Sequence, residues 1–469
     1  MGIVRWVLPI LCLGLLRVAV PAAAPPPYYA IRDARIVPVT GPVIERGTIV
    51  LSDGLITAVG TSVTVPPEAE VIDGTGLTVY PGLIDALTTI GLPDTEPPQA
   101  ATDAPGGPPP QATPSPGGPR RPASRGPEDR PGSTPWQRAA DNLDTDDRRI
   151  VRWRSAGFTT AVVASGRGIF PGQASVVNLA GERPGDMVVA SSVALPVSLQ
   201  PQRRSAGRSA GFPSSLMGVL AYVHQVFLDT QHATRVAEAY AKAPRGQKRP
   251  EYDRTVDALA QVLADGRLVL LPATNRTETL RMLDFARELE LRVALYGAHG
   301  AYEVADEIAA HKVPVLLSVK WPERPKDADP EADESLRVLR LRDRAPSTPA
   351  ALTKANVKFA FYSDGLETPT DVLTNLRRAL DAGLARDAAL RAFTRDAAEI
   401  FGLDDRLGSL ETGKIANVLV TDGDLFDEKT TVKLVFVDGQ KFEPVAEPTR
   451  PDEKPTTSEV DGDAQGGRP

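Results

Sequence analysis

Apolar residues gather along this chain in short continuous runs, separated by stretches in which they recur every three or four positions. The runs cover 157–164 (GFTTAVVA), 267–274 (RLVLLPAT), 292–298 (RVALYGA), 313–320 (VPVLLSVK) and 357–365 (VKFAFYSDG). A run that is apolar nearly throughout predicts a strand buried on both faces, as in a parallel sheet. The spacing of TETLRMLDFARELE (277–290) and YEVADEIAAHK (302–312) predicts helices between them. Strand and helix alternate often enough that a closed (β/α)8 barrel of the TIM type is favoured over an open sheet.

The two ends of the chain read differently. Residues 28–60 and 414–443 are short β-prone runs broken by Asp-Gly turns. Neither end has enough strands to stand alone, so the two are expected to pair into one small β-sandwich with the barrel inserted between them. The expected division is a leader over 1–24, sandwich over 25–78, barrel over 79–404, sandwich again over 405–443, and a tail over 444–469.

Proline changes this picture. The chain has 44 prolines, and 14 of them fall between Leu92 and Pro135, where apolar residues almost vanish. That composition predicts a disordered or polyproline-like excursion within the barrel. The first residues, MGIVRWVLPILCLGLLRVAVPAAAP, have an early Arg5, an apolar run to Leu16 and small residues at Ala22, Ala23 and Ala24. This is the anatomy of a cleavable export signal, and Arg17 interrupts the run before it could span a membrane. An exported protein, periplasmic or extracellular and without a stable membrane span after cleavage, is the expectation.

Cys12, the only cysteine, lies in that leader. A mature chain would have no disulfide, no thiol nucleophile and no cysteine-bound metal. A net charge of -7 and the absence of an aromatic-spaced basic face argue against nucleic acid as a partner. The cluster Arg203, Arg204 and Arg208 sits among Gly, Ser and Ala and reads as a solvated loop. A small molecule is the expected ligand or substrate, and the oligomeric state is not indicated.

Several ordered segments resemble the amidohydrolase superfamily, in particular its imidazolonepropionase-like branch. They are IVLSDGLITAVG, VIDGTGLTVYPGLID, GAHGAYEVADEIAAHKVPVLL, VKFAFYSDG and the closing ALRAFTRDAAEIFGLDDRLGSLETGKIANVLVTDGDLF, in which Asn417 stands where an Asp is usual. The resemblance implies the barrel-plus-sandwich fold and hydrolysis of carbon–nitrogen bonds, in cyclic amides or similar small molecules, by a metal-activated water. In that family Pro-Gly-Leu-Ile-Asp is followed by His-x-His, whose imidazoles share one face of the first barrel strand. Here the matching positions hold Leu87 and Thr89, and the strand that commonly offers a further His has Pro272. An alkyl group, a neutral hydroxyl and an imide ring are poor ligands for zinc. No metal ligand is assigned, and a divalent ion such as zinc is expected only if the family chemistry survives.

Asp364, before Gly365 at the end of the eighth strand, matches the family's proton-shuttling carboxylate. His299, in the Gly-rich turn after the sixth strand, reads either as a site residue or as a bonded loop residue. Asp85 is structural, or pairs with Asp364 on the neighbouring strand in a metal-free carboxylate mechanism. Lys320, Asn275 and Thr89, at strand ends, are candidates for substrate contact. His224, His232 and His311 read as helix-surface residues, and residues 165–172 lack the following helix that a phosphate loop requires. Three functions remain open: a metal-dependent hydrolase, a catalytically silent barrel that binds a small molecule or partner, and a metal-free hydrolase using Asp85 and Asp364.

Overall fold

The computed structural model describes residues 28–93, 130–201, 212–325 and 328–445, the last without 330 and 332. The leader, residues 94–129 of the proline-rich stretch, the Arg203, Arg204 and Arg208 cluster and the tail from 446 lie outside the described residues.

Strands β1 (Tyr28–Ile36), β2 (Ile44–Ser52), β3 (Leu55–Gly60), β4 (Glu70–Asp73) and β5 (Thr78–Pro81) come first. The barrel strands follow: β6 (Leu83–Thr88), β7 (Phe158–Val163), β8 (Ala174–Asn178), β9 (Val188–Pro196), β10 (Leu268–Ala273), β11 (Val293–Gly297), β12 (Val315–Ser318) and β13 (Phe359–Tyr362). The chain closes with β14 (Val418–Thr421), β15 (Val432–Val437) and β16 (Gln440–Phe442). The five strands expected from the apolar runs lie inside their predicted ranges, each trimmed at the ends.

β14 pairs antiparallel with β5, and the two termini join in one eight-stranded sheet of order β16-β15-β14-β5-β1-β2-β3, with β4 on β1. Two hairpin turns meet in this layer. Asp53-Gly54 and Asp438-Gly439 both have positive φ at each residue, the type that Asp-Gly favours between antiparallel strands. They sit backbone to backbone: a Cβ on Gly439 would stand 2.9 Å from Gly54 Cα, so a side chain cannot be added there without moving one turn.

The second sheet runs β6 to β13 in chain order and is nearly closed. Its outer face, with Val163, Leu195, Leu271, Leu295, Leu317 and Phe361, is buried against the helices. Its inner face is filled by smaller and branched residues, among them Ile84, Ala86, Val176, Leu270, Ala294 and Ala360. Burying a Val, Ile or Leu side chain there contributes roughly 1.5–3 kcal/mol. One strand departs from the simple alternation: β8 is antiparallel to both β7 and β9. It follows β7 after a ten-residue connection too short for a crossover helix.

The helices are α1 (Arg148–Ser155), α2 (Pro184–Met187), α3 (Leu216–Lys242), α4 (Arg254–Ala264), α5 (Arg276–Glu288), α6 (Ala305–His311), α7 (Leu336–Arg344), α8 (Thr348–Lys354), α9 (Pro369–Asp381), α10 (Arg386–Phe393) and α11 (Arg395–Ile400). No helix among the described residues is long and apolar enough to cross a membrane. The helix expected from 302 begins only at Ala305, because Ala301–Glu303 forms a tighter turn first. The end of the proline-rich stretch is also corrected. Arg130 donates to Asp229 on α3 at 2.8 Å and to Asp253 at 3.0 Å, and Ser133 bonds the Tyr222 hydroxyl at 2.9 Å, so residues 130–135 are packed against the barrel's helices.

Asn417 joins the two sheets. Its Nδ2 donates to Thr160 Oγ1 at 2.9 Å and Asn178 Oδ1 at 2.8 Å, and its Oδ1 accepts from Asp438 N at 2.8 Å. An aspartate has the acceptor but not the two donors. Asn417→Asp therefore places a buried charge against two oxygens and is expected to cost about 3 kcal/mol, read as a lowered urea midpoint with an unchanged slope.

Candidate functional site

In a barrel of this kind the C-terminal ends of the parallel strands carry the site. On β6 the pairing places Asp85 opposite Ala161 and Thr88 opposite Val163, three residues against two. This bulge turns Ala86 and Leu87 toward the inner cluster together, and Thr89 follows as an exposed residue at the rim. The positions that carry imidazoles in the resembled family are thus at the mouth, holding an alkyl group and a hydroxyl.

Thr89 is occupied. Arg149 Nη1 donates to its Oγ1 at 3.2 Å and Nη2 to its carbonyl at 3.1 Å, while Nη2 also reaches the Leu92 carbonyl at 3.0 Å. Asp147 fixes this guanidinium at 2.8 Å, caps α1 through Arg149 N at 2.8 Å and accepts from Gly91 N at 2.7 Å. Burial works against the charge on Asp147, but the bonds from Arg149 and Gly91 prevail and hold its pKa below the ordinary value.

Across the mouth, Asp364 is exposed, with φ 50 ahead of Gly365 at φ 70, the left-handed pair that Asp-Gly tolerates. Its Oδ2 accepts from Ser318 Oγ at 2.9 Å, and that oxygen in turn accepts from Lys320 N at 3.1 Å. Ser318 is fully buried. Burial, with the charge of Asp364 acting in the same sense, raises the phenol pKa values of Tyr296 and Tyr362. Both rings are therefore neutral donors, and the Tyr296 hydroxyl already donates to the Val197 carbonyl at 3.0 Å.

His299 is half-buried, its ring 5.9 Å from that of Trp321. Burial lowers its pKa, against the opposing pull of Asp364 and of the backbone at Ser318 and Lys320. Its Nε2 is buried with no hydrogen-bond partner among the described residues. The structure thus brings Asp364, Ser318, Tyr296, Tyr362 and His299 to one side of the mouth.

The remaining candidates are placed elsewhere. Asp85 is 1% exposed, and its Oδ1 accepts from Ser363 N at 3.0 Å where β13 meets β6. It also interacts with the buried indole of Trp153, on α1. One carboxylate is sealed from water and the other faces it, and of the two readings open for Asp85 the structural one fits its place at the closure of the barrel. The side-chain oxygen of Asn275 accepts from Glu278 N at 3.1 Å as the N-cap of α5. Lys320 is exposed at the rim. His224 pairs with Glu288 at 3.3 Å, and His311 Nδ1 lies 2.8 Å from the Glu307 carbonyl, both on helix surfaces.

Ser318, Tyr296 and Tyr362 were legible in principle, because each stands two residues beyond an inward-facing strand position. Arg149 was not, since its role depends on the bulge and the folded loop.

A divalent catalytic ion needs about three protein ligands with unshared electron pairs. Three of the positions that resemblance assigns to ligands hold Leu87, Thr89 and Pro272, and a guanidinium is fixed beside the second. No group of three or more His, Cys, Asp or Glu side chains that could hold a metal ion occurs among the described residues. The donor set does not fit such an ion.

The charge on Asp85 yields a pH prediction. Burial raises its pKa to about 6, with Ser363, the backbone at Leu87 and the neighbouring Trp153 indole pulling the other way. A carboxyl raised in the fold is disfavoured when ionised, so its cost is absent below about pH 4 and grows until about pH 6. Asp85→Asn, which keeps the acceptor for Ser363, is expected to gain about 3 kcal/mol relative to the natural chain between pH 4 and pH 7. Urea unfolding at several pH values checks this, and a pH-independent difference would contradict it.

Comparison with known proteins gives the same frame. Residues 256–442 match the Amidohydrolase family. An amidohydrolase of solved structure from Thermotoga maritima MSB8 is 23% identical, with 88% of this chain and 100% of that one covered and a TM-score of 0.68. Another amidohydrolase is 17% identical over 90% of this chain and 100% of its own, with a TM-score of 0.53. A prolidase complexed with N-methylphosphonate-L-proline is 16% identical over 89% and 100%, with a TM-score of 0.54. No curated protein matches. The resemblance read from the sequence therefore holds: this chain has the amidohydrolase fold and, over residues 256–442, matches the amidohydrolase family in sequence.

Proposed function

We propose that this is an exported protein of amidohydrolase type whose barrel mouth binds a small molecule without a resident catalytic metal. One observation carries the reading: the bulge on β6 turns Leu87 and Thr89 to the mouth, and Arg149 is fixed on Thr89. A guanidinium repels a cation and supplies no lone pair. Capacity for a ligand is supported by a cavity of about 250 Å³ at this end of the barrel, lined by Leu92, Pro93, Gln137, Asn142, Ser165 and Gln173. It lies between the two described flanks of the proline-rich stretch, and loops at this face build sites in barrels. Export rests on the leader-like first residues.

Protein expressed with added zinc is expected to contain well under one tightly held divalent ion per chain by elemental analysis. Its melting temperature should not respond to a chelator. A stoichiometric ion held inside the barrel by three or more side chains would overturn the reading.

Hydrolysis of a carbon–nitrogen bond, as in cyclic amides, is the second reading. The observation in its favour is Asp364, exposed at the mouth and oriented by Ser318 as a general base would be. If a hydrolysable amide is found, Asp364→Asn should reduce kcat by at least about 10²-fold with little change in melting temperature. Unaltered turnover would remove Asp364 from the chemistry.

A further inference from the structure

The connection between β12 and β13 carries α7, LRVLRLRDR, and none of its nine side chains is buried. Leu336 is 59% exposed and Leu339 46%. Arg337, Arg340 and Arg344 recur at steps of three and four and share one helical face. Arg342, on another face, is neutralised by Glu334 at 2.5 Å. No ion pair joins any of the first three to a carboxylate among the described residues. Like charges at this spacing oppose helix formation, and here no burial compensates for them.

That face borders a hollow. A cavity of about 580 Å³ is lined by Asn275, Tyr302, Glu303, Arg337, Val338 and Leu341 among others. A neighbouring one of about 330 Å³ is lined by Tyr302, Glu303, Arg340 and Arg344. Tyr302 and Glu303 are common to both, so the three arginines of α7, together with Arg276, line hollows that share one carboxylate.

Two further charges beside the cavity are engaged, while Asp343, the carboxylate on α7 itself, is exposed. Arg276 donates to the Glu303 carbonyl at 3.3 Å and lies 3.9 Å from Glu307. Glu278 accepts from Thr274 N at 2.9 Å and from its hydroxyl at 2.5 Å. That carboxylate stands in the first turn of α5. Val338 and Leu341 give the same cavity an apolar wall.

We propose that this cleft binds a small organic polyanion carrying at least two phosphate, sulfate or carboxylate groups. Arg337, Arg340 and Arg344 hold the anionic groups, and Val338 and Leu341 pack against its carbon skeleton. Guanidinium groups bind oxyanions through paired N–H donors, which suits them to this ligand class better than ammonium groups. The site lies apart from Thr89 and Asp364 and does not depend on how the mouth is read.

The test is titration calorimetry of the full chain with inorganic pyrophosphate and, separately, with citrate, at constant ionic strength. Saturable binding of one anion per chain with a rise in melting temperature is expected, and the stronger response separates phosphoryl from carboxylate ligands. Arg340→Gln with Arg344→Gln should weaken binding by about ten-fold or more. Arg342→Gln should leave it unchanged. Without ligand the double variant should melt no lower than the natural chain, which separates lost binding from lost folding. Absence of saturable binding, or equal binding by the double variant, would overturn the proposal. So would capture by vesicles of anionic lipid without any response to either probe, which would assign α7 to a membrane surface instead.

Discussion

The barrel is held shut at one seam by a buried carboxylate. Asp85 on the first barrel strand takes the backbone N–H of Ser363, just past the last one, and seats against Trp153. A buried N–H without an acceptor costs about 1–3 kcal/mol, so the seam needs this oxygen even though sealing a charge there is itself unfavourable. Ser363 lies between Tyr362 and Asp364, and holding its backbone fixes where both neighbours point. The composition of the mouth follows from that closure.

On the proposed reading, the mouth reverses the ordinary logic of a metal centre. A metal site gathers unshared electron pairs and keeps positive charge at a distance. Here an alkyl group and a hydroxyl stand where the pairs would be, and a guanidinium is anchored on the hydroxyl by Asp147. The opposite side keeps a carboxylate, two neutral phenols and an imidazole that burial disposes to be neutral.

Much of the frame was readable from residue order alone. Runs such as RLVLLPAT and RVALYGA are apolar on both faces because helices cover one side and the barrel interior fills the other. The Asp-Gly pairs at 53–54 and 438–439 announced two hairpins, and they come into contact in the fold. Other features depend on distant partners. Asn275 looked like a substrate contact because it follows a strand, yet the first turn of α5 needs its oxygen. Asp85 looked like one half of a catalytic pair because it neighbours Asp364 in strand order, but a β-strand shows alternate residues to opposite sides. Nothing local to Arg149 signals that it reaches Thr89 and Leu92.

The reversed strand β8 has a consequence for the proline-rich stretch. A hairpin carries the chain from β7 to β8, so no crossover helix is laid over this part of the outer wall. The returning strip takes that place: Ser133 bridges to Phe170 and Arg138 to Gln173, Gln173 Nε2 donates to the Pro135 carbonyl at 2.8 Å, and Ala140 N donates to Ser175 Oγ at 2.9 Å. What composition alone suggests is a dispensable appendage ends as cladding for the third stave of the barrel. An excision that ran through Pro135 would peel away that cover, whereas one that stopped before Arg130 would leave it in place.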